Sequence, residues 1–541
     1  MRSLRRLAIL LSAATPVAVS AQSLGTPLSE AALRTRLYSY AADSMRGRLA
    51  GSPDNMKATA YVADELRKIG LTPMGDGGTF FQDVPLQRTV LDSGLVVSLG
   101  GRALQPYVDY LPRDLGTPRA FAGLPVVYGG AWPDTATLLS DDAAAGKVVV
   151  VGLRPNGGTV LRAWMMQHFA QAAAICVINL DALDPATRSQ LSQSGITLAG
   201  AAPAPVVPTY FHVTDAVGAE ILGGPVALAA TGKVGAMLGG GIRFKAVRAP
   251  ARNVVAVLRG SDPALRGEYV AIGAHNDHIG VGAPEDADSL RAFNLELRRK
   301  QLANQGRVTR EIVESIHVNM DSVRRAHPAA RMDSIYNGAD DDGSGTVGLI
   351  EIARAFAAAK QRPKRSILFV SHTGEELGLF GSQWYTDHPT VPRDSVVAQL
   401  NIDMIGRGGP GEEPGGGPDY LQLIGSRRLS TELGDLVEQV NSEKKFFWKF
   451  DYQYDANGHP EQYYCRSDHY MYARYGIPIV FASTGGHADY HQVTDGPEFI
   501  DYVKLAKVSR FIHDVAWRVA DLDHRVVVDR PKPDPRGQCV Q

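Results

Sequence analysis

Five short segments carry histidine side chains, carboxylate side chains or both, and they stand just past predicted strands. They are residues 273–277 (GAHND), 338–345 (GADDDGSG), 372–376 (HTGEE), 401–404 (NIDM) and 489–491 (DYH). Open α/β sheets place their ligands at the carboxyl ends of strands. One such segment is weak evidence, because Asp and Gly favour turns for local reasons. Their recurrence predicts a metal site, since zinc accepts histidine nitrogen and carboxylate oxygen as ligands.

The elements that would position these segments follow a regular alternation from residue 253 onward. Apolar strands are predicted at residues 253–258, 269–274, 366–371, 396–402 and 478–482. Helices are predicted at residues 346–359 and 502–520, and two more flank a turn at residues 46–52. This alternation predicts an α/β fold with a mixed sheet and helices on both faces.

Two stretches interrupt this pattern. Residues 90–240 contain short Val-rich strands, at 126–128, 147–152, 175–179 and 205–208, and are predicted to form a β-rich insert without a cluster of chemical groups. Residues 285–331 are charged and are interpreted as a surface insertion of one or two solvated helices. Because this insertion begins and ends beside two candidate ligands, we hypothesise that it overhangs the cleft and restricts substrate size.

Two other metal motifs are weaker. Asp340, Asp342, Ser344 and Glu351 nearly fit a calcium EF-hand loop, but a serine replaces an expected carboxylate or amide and an apolar helix begins inside the loop. The spacing from His487 to His491 is that of a zincin helix. Its glutamate is absent, however, and two glycines directly before it disfavour a helix.

In this order the five segments resemble peptidase family M28, the co-catalytic two-zinc aminopeptidases. The resemblance covers the N-terminal helices and about residues 253–520, and its combination of motifs is specific. Residues 90–240 resemble a protease-associated domain more weakly. The resemblance implies a zinc-peptidase-like fold, a mixed twisted sheet with helices on both faces.

The resemblance also implies two zinc ions per chain. One would be held by His275, Asp341 and Asp403. The other would be held by Asp341, Glu376 and His491, so that Asp341 bridges the pair. A bridging carboxylate holds two metals about 3.5–4 Å apart, and the water they share becomes acidic near neutral pH.

Three further roles follow from the same resemblance. Glu375 would be the general base that takes a proton from the zinc-bridged water, a role suited to a carboxylate beside the metals. Asp277 would orient the ligand His275, and Tyr490 would polarise the developing oxyanion. One departure from the family is His278, where many relatives carry serine; it is interpreted either as a partner of a ligand or as a surface residue. The other is the long gap between His275 and Asp341, which contains the charged insertion.

The implied activity is hydrolysis of N-terminal residues from peptides. A carboxypeptidase or dipeptidase of the same fold is the nearest alternative, and Arg407 is the arginine that could bind a substrate carboxylate in that case. Glutaminyl cyclase activity and a non-catalytic receptor-like module are weaker alternatives, because the whole ligand set is present.

The net charge bears on the partners of the protein, and its first residues bear on its location. The net charge of −1 gives no argument for nucleic acid or an anionic membrane as a partner. Arg2, Arg5 and Arg6 precede a short apolar run at residues 7–19, a pattern typical of a signal peptide cleaved before Gln22. We therefore expect a periplasmic or secreted protein without a membrane anchor.

The expected organisation follows. It comprises a signal peptide (1–21), a catalytic domain (22–92 and 245–525), a protease-associated-like insert (93–244), a charged helical insertion (284–335) and a C-terminal tail (526–541). Of three cysteines, Cys176 is predicted to lie in a core, and the sequence leaves open whether Cys465 pairs with Cys539.

Overall fold

The computed structural model describes residues 26–114, 119–153, 162–192, 195–200 and 207–541. The predicted signal peptide lies outside the described residues. Within the described part of the chain, none of the helices is both long and apolar enough to cross a membrane.

Nine strands form a central mixed sheet. In chain order they are β1 (Thr72–Pro73), β2 (Phe81–Asp83), β3 (Arg252–Leu258), β4 (Tyr269–His275), β5 (Ser366–His372), β6 (Val396–Ile402), β7 (Tyr420–Ile424), β8 (Lys449–Asp451) and β9 (Ile479–Ser483). Their spatial order is β1-β3-β5-β4-β6-β9-β7-β8, and β2 also pairs with β3. Strands β5, β4, β6 and β9 are parallel neighbours, so their carboxyl ends lie along one edge. The five predicted strands are present, each within one residue of its predicted bounds.

Helices cover both faces of this sheet, as predicted. They are α1 (Glu30–Tyr40), α2 (Pro53–Ile69), α3 (Gly345–Ala358), α4 (Phe380–Asp387), α5 (Thr431–Glu443), α6 (His469–Ala473) and α7 (Tyr502–Ala520). Helices α1, α2, α3, α5 and α7 share one apolar core with Val254 and Ala256 of β3. Helices α4 and α6 share the other core with Val255 and Val257. The alternation arises because successive side chains of a strand point to opposite faces, and each buried Val or Leu contributes about 1.5–3 kcal/mol.

Helix α2 shows how the local sequence sets the ends of an element. The Ser52 side chain accepts a hydrogen bond from the Asn55 amide, and Pro53 occupies the first turn, where its missing N–H costs nothing. The helix ends at Gly70, whose φ of 88° is the left-handed conformation that glycine adopts without strain.

The middle segment has its own five-stranded sheet. Its strands are Tyr110–Pro112, Val126–Trp132, Val148–Leu153, Ala174–Ile178 and Thr209–Val213. The last four are parallel neighbours, and helices Arg162–His168, Pro185–Ser192 and Asp215–Leu222 alternate with them. The expectation of a β-rich segment therefore missed its helices. The strand expected at residues 205–208 instead begins at Thr209; prolines at that end cannot donate to a ladder, and residues 201–206 lie outside the described residues.

Smaller sheets connect this segment to the rest of the chain. The first sheet has three strands, Leu86–Leu91, Ile196–Leu198 and Phe244–Ala249. The second has three strands, Ser98–Leu99, Arg102–Ala103 and Leu238–Gly239. The third pairs Arg119–Ala120 with Gly241–Ile242. The chain enters the segment along Leu86–Leu91 and returns antiparallel along Phe244–Ala249. Its assignment as a protease-associated domain and the boundaries at residues 93 and 244 stay predictions.

The charged insertion is a helical excursion on a β-hairpin stem. Strands Val281–Asp286 and Met332–Ile335 pair antiparallel. Between them lie helices Ala287–Ala303, Arg310–Glu314 and Met320–Ala326, three where one or two were expected.

A disulfide bond ties the C-terminal tail to the loop before α6. Cys465 and Cys539 are bonded across a separation of 74 residues. Gln541 extends this attachment, because its side-chain amide donates to the Tyr454 and Ala456 carbonyls, each at 3.1 Å. Cys176 is a free, buried residue, as predicted.

Replacing both Cys465 and Cys539 by serine is expected to lower the free energy of unfolding by about 2–4 kcal/mol, because the open chain gains conformational entropy when unfolded. Thermal unfolding with and without a reductant measures this. The reductant should lower the melting temperature of the wild type and leave the variant unchanged; equal melting temperatures for both proteins without reductant would contradict the prediction.

Candidate metal centre

The parallel strands bring the predicted segments to one edge of the sheet. His275 and His372 are register partners at the ends of β4 and β5, and Asp403 directly follows β6. The loop after β9 carries Tyr490 and His491. Side chains far apart in the sequence therefore meet because parallel strands end together.

Asp341 reaches the same edge from the loop before α3. Its two neighbours are held by the backbone: Asp342 accepts from the His275 amide at 3.0 Å, and Asp340 accepts from the Gly406 amide at 2.7 Å. Asp495 in turn accepts from the Asp340 and Asp341 amides. Asp340 and Asp342 are therefore held by backbone amides, and of the three aspartates Asp341 faces the other ligands.

The first group of ligand atoms contains His275, Asp341 and Asp403. The His275 Nε2 atom lies 3.1 Å from Asp341 Oδ1 and 3.6 Å from Asp403 Oδ1. On its other side, His275 Nδ1 lies 3.1 Å from the Asp277 carbonyl oxygen, so Nδ1 donates and the Nε2 lone pair faces the carboxylates. Asp277 thus orients this ring through its main chain, while its carboxylate lies 3.7 Å from Nδ1.

The second group contains Asp341 again, with Glu376, His491 and His278. The His491 Nε2 atom lies 3.0 Å from both Asp341 Oδ2 and Glu376 Oε2. The His278 Nδ1 atom lies 2.6 Å from Glu376 Oε1 and 3.8 Å from Asp341 Oδ2. Each carboxylate oxygen of Asp341 therefore faces a different group, which is the position required of a bridging ligand.

His278 is the residue for which the sequence left two interpretations open. Its side chain is fully buried, so the surface interpretation is wrong. Its ring lies edge-on to that of His491, with centroids 5.5 Å apart. The only signal in the sequence was its position three residues after His275, and nothing in the sequence pointed to Asp495.

These residues fit divalent cations. The donor atoms within each group lie within 4.8 Å of one another. Among the described residues, the Nε2 atoms of His275 and His491 are buried without a hydrogen-bond partner, although both atoms lie beside carboxylate oxygens. A histidine lone pair directed at carboxylate oxygens is unfavourable unless a cation lies between them. Nitrogen and carboxylate oxygen in sets of three or four are the coordination that zinc takes.

A cavity of about 370 Å³ opens onto both groups. Its lining includes the ligand candidates Asp341, Glu376 and Asp403 together with Glu375 and Tyr490. Glu375 belongs to neither group, and its amide donates to Asp277 Oδ1 at 3.2 Å. Burial raises the pKa of the Glu375 carboxyl well above its usual range. Burial likewise raises the pKa of the Tyr490 phenol, which keeps its proton available as a donor.

Two further residues that the sequence singled out lie beside carboxylates outside the two ligand groups. Arg407 is buried and binds Glu412 and, at 3.0 Å, Asp489 Oδ2, and it is not among the residues that line the cavity. His487 is buried with its Nε2 atom 3.4 Å from Asp340 Oδ2, and the segment from Gly485 to His491 is a loop, in agreement with rejecting a zincin helix.

A mixed α/β sheet whose carboxyl edge gathers two adjoining sets of histidine and carboxylate ligands defines the class of metal-dependent hydrolases. Within it, residues 253–516 match peptidase family M28. These residues of the chain therefore form a peptidase family M28 domain.

Similar proteins agree with this assignment. The zinc aminopeptidase BSAP from Bacillus subtilis superposes with a TM-score of 0.51 and 17% sequence identity, over 91% of this chain and 95% of that one; at this identity the match shows a common fold. A probable zinc metalloprotease of Pyricularia oryzae is 29% identical over 223 residues, covering 35% of this chain and 43% of the relative. Leucine aminopeptidase 1 of Aspergillus fumigatus is 30% identical over 153 residues, covering 27% of this chain and 36% of the relative. The chain thus spans less than half the length of these curated relatives.

Proposed function

We propose that the protein is a two-zinc aminopeptidase that removes N-terminal residues from peptides. The observation that carries the proposal is the position of Asp341, shared by two ligand groups beside a cavity that also contains Glu375. His275, Asp341 and Asp403 would hold one ion. Asp341, Glu376 and His491 would hold the other, with His278 beside them. When bound, such a pair of ions lowers the pKa of a water molecule and polarises a peptide carbonyl.

The remaining chemistry belongs to side chains that are not ligands. Glu375 accepts a proton from the attacking water on its carboxylate and donates it to the departing amine nitrogen. The Tyr490 phenol, stacked on His491 with centroids 3.9 Å apart, donates to the substrate oxygen as negative charge develops there.

An aminopeptidase is favoured over a carboxypeptidase for two reasons. The relatives include a leucine aminopeptidase that matches over 153 residues and a structurally similar zinc aminopeptidase, whereas the probable glutamate carboxypeptidases among them match over 75 and 120 residues. The arginine expected to bind a substrate carboxylate, Arg407, is already paired with Glu412 and Asp489 and lies outside the cavity lining.

The proposal extends to location. The pattern at residues 1–21 supports export to the periplasm or the medium. The segment at residues 93–244 is proposed to be a protease-associated domain, on its weak sequence resemblance alone.

One peptide offered in three forms tests the activity: free at both ends, N-acetylated, and C-amidated. Mass spectrometry of the products should show stepwise loss of N-terminal residues from the free and amidated forms, and at least about 100-fold slower cleavage of the acetylated form, since a site built for a free amine leaves polar groups unpaired without one. A chelator should abolish cleavage and added zinc should restore it. Loss of C-terminal residues from the acetylated peptide would instead identify a carboxypeptidase.

A further inference from the structure

The charged insertion forms part of the cavity wall. Asn294, Leu297, Arg298 and Gln301, all on helix Ala287–Ala303, line the same cavity as Glu375 and the ligand candidates. Their spacing places them on one face of the helix. The Asn294 side-chain nitrogen is buried and has no hydrogen-bond partner among the described residues.

Arg298 fixes the middle of this helix to the catalytic domain. Its guanidinium donates to the Gly486 carbonyl at 3.1 Å, to Glu413 Oε1 at 2.9 Å and to the Glu412 carbonyl at 2.8 Å. The Glu413 side chain is 1% exposed, so this ion pair is shielded from water. Shielded pairs with several hydrogen bonds are costly to separate.

Arg291 fixes the same helix two turns earlier. It donates to Asp489 Oδ1 at 3.1 Å, and the Asp489 side chain is fully buried. Its guanidinium also lies 3.8 Å from the centroid of the Phe499 ring. The two arginines therefore bind both ends of the loop from Gly486 to Asp489, directly before Tyr490 and His491. A helix held at two points beside the ligands is a fixed wall and not a loose surface excursion.

We infer that this wall limits the enzyme to short peptides, of two to about four residues. The inference rests on the proposed aminopeptidase function and specifies its substrates. A volume of about 370 Å³ lies near the lower end of the range for small-ligand sites, about 300–1,000 Å³. Because helix Ala287–Ala303 lines the same cavity as the ligand candidates, we expect a peptide bound with its N-terminus at the metals to contact this helix within a few residues.

The hairpin stem offers a point at which the chain can be closed when the wall is removed. Asp286 and Met332 are register partners, and the Ala287 amide donates to the Arg331 carbonyl at 3.0 Å. Replacing residues 287–331 by two glycines therefore closes the stem with a two-residue hairpin turn. A second variant, Leu297→Ala, widens the cavity without touching either arginine. Leu295→Ala is its matched control, because Leu295 lies on the same helix, is 44% exposed and does not line this cavity.

The test measures kcat/KM for a ladder of peptides from two to eight residues that share an N-terminal leucine, with bound metal measured alongside. For the wild type, kcat/KM should fall at least about tenfold between the tripeptide and the octapeptide, a difference of about 1.4 kcal/mol in barrier. The deletion should bring this ratio close to one, Leu297→Ala should reduce it, and Leu295→Ala should leave it unchanged.

Two results would overturn the inference in distinguishable ways. A wild-type ratio near one, with active and metal-loaded protein, would show that the helix does not limit length and would leave the proposed function intact. Absence of cleavage of every peptide would refute the proposed function and this inference with it. If the deletion variant does not fold, Leu297→Ala and Leu295→Ala test the inference instead. An equal ratio of tripeptide to octapeptide kcat/KM in these two variants would overturn it.

Discussion

Substituting glutamine for Glu375 is expected to lower kcat by about 10³-fold, within the range of 10²–10⁴ typical of a lost general base, while the protein keeps its full metal content. Glutamine has nearly the same shape as glutamate but cannot accept the proton. Because Glu375 belongs to neither ligand group, its charge is not needed to bind a cation. Steady-state kinetics and elemental mass spectrometry on the same sample measure both quantities.

The adjacent residue provides the control. Glu376→Gln changes the neighbouring side chain in the same way, but Glu376 Oε2 lies 3.0 Å from His491 Nε2 within the second group. This variant should lose metal from that group as well as activity. If Glu375→Gln lost metal and Glu376→Gln kept it, the assignment of base and ligand would be reversed.

Replacing Asp341 by alanine is expected to remove activity and to bring the metal content from two ions per chain toward none. Each of its carboxylate oxygens faces a different group: Oδ1 lies 3.1 Å from His275 Nε2 and Oδ2 lies 3.0 Å from His491 Nε2. Removing this carboxylate leaves both groups one ligand short and removes the charge that holds the ions together. Equilibrium dialysis with zinc, followed by elemental analysis, measures the stoichiometry.

Asp403→Ala is the comparison for that experiment. Asp403 belongs to the first group alone, and the Ser467 hydroxyl donates to its Oδ2 at 2.7 Å. We expect this variant to retain about one ion per chain, since the second group is complete without it. Equal losses in Asp341→Ala and Asp403→Ala would indicate that Asp341 is not a shared ligand.

The sequence predicted the sheet and the converging segments because both depend on local patterns. Apolar runs such as residues 396–402 have the length and composition of buried parallel strands. Once those strands are parallel, residues just beyond them, such as His275 and Asp403, must share an edge. The predicted positions of these side chains therefore required no knowledge of distant contacts.

The features that the sequence did not reveal depend on contacts between distant segments. The Asp495 carboxylate accepts a hydrogen bond from the Asp341 amide, although the two residues are 154 positions apart in the sequence. The Ser467 hydroxyl donates to Asp403, 64 positions away. Neither Asp495 nor Ser467 stands in a motif. His278 was visible, but its burial depends on the packing of the loops around it. The same holds for the pairing of Cys465 with Cys539, which the spacing alone left open.

The charged insertion combines a feature that the sequence predicted with one that it did not reveal. Its charged composition suggested a solvated surface excursion, and most of its charged residues are exposed or half-buried. Arg291 and Arg298 are also half-buried, but they pair with the buried carboxylates of Asp489 and Glu413 in the catalytic domain. Composition identified the segment as an insertion, whereas its role as a cavity wall required the fold.

Anomalous diffraction at the zinc absorption edge, from crystals grown with zinc, tests the central claim most directly. The account predicts two peaks about 3.5–4 Å apart, one beside His275 and Asp403 and the other beside Glu376 and His491, with Asp341 between them. A single peak, or peaks away from Asp341, would contradict it.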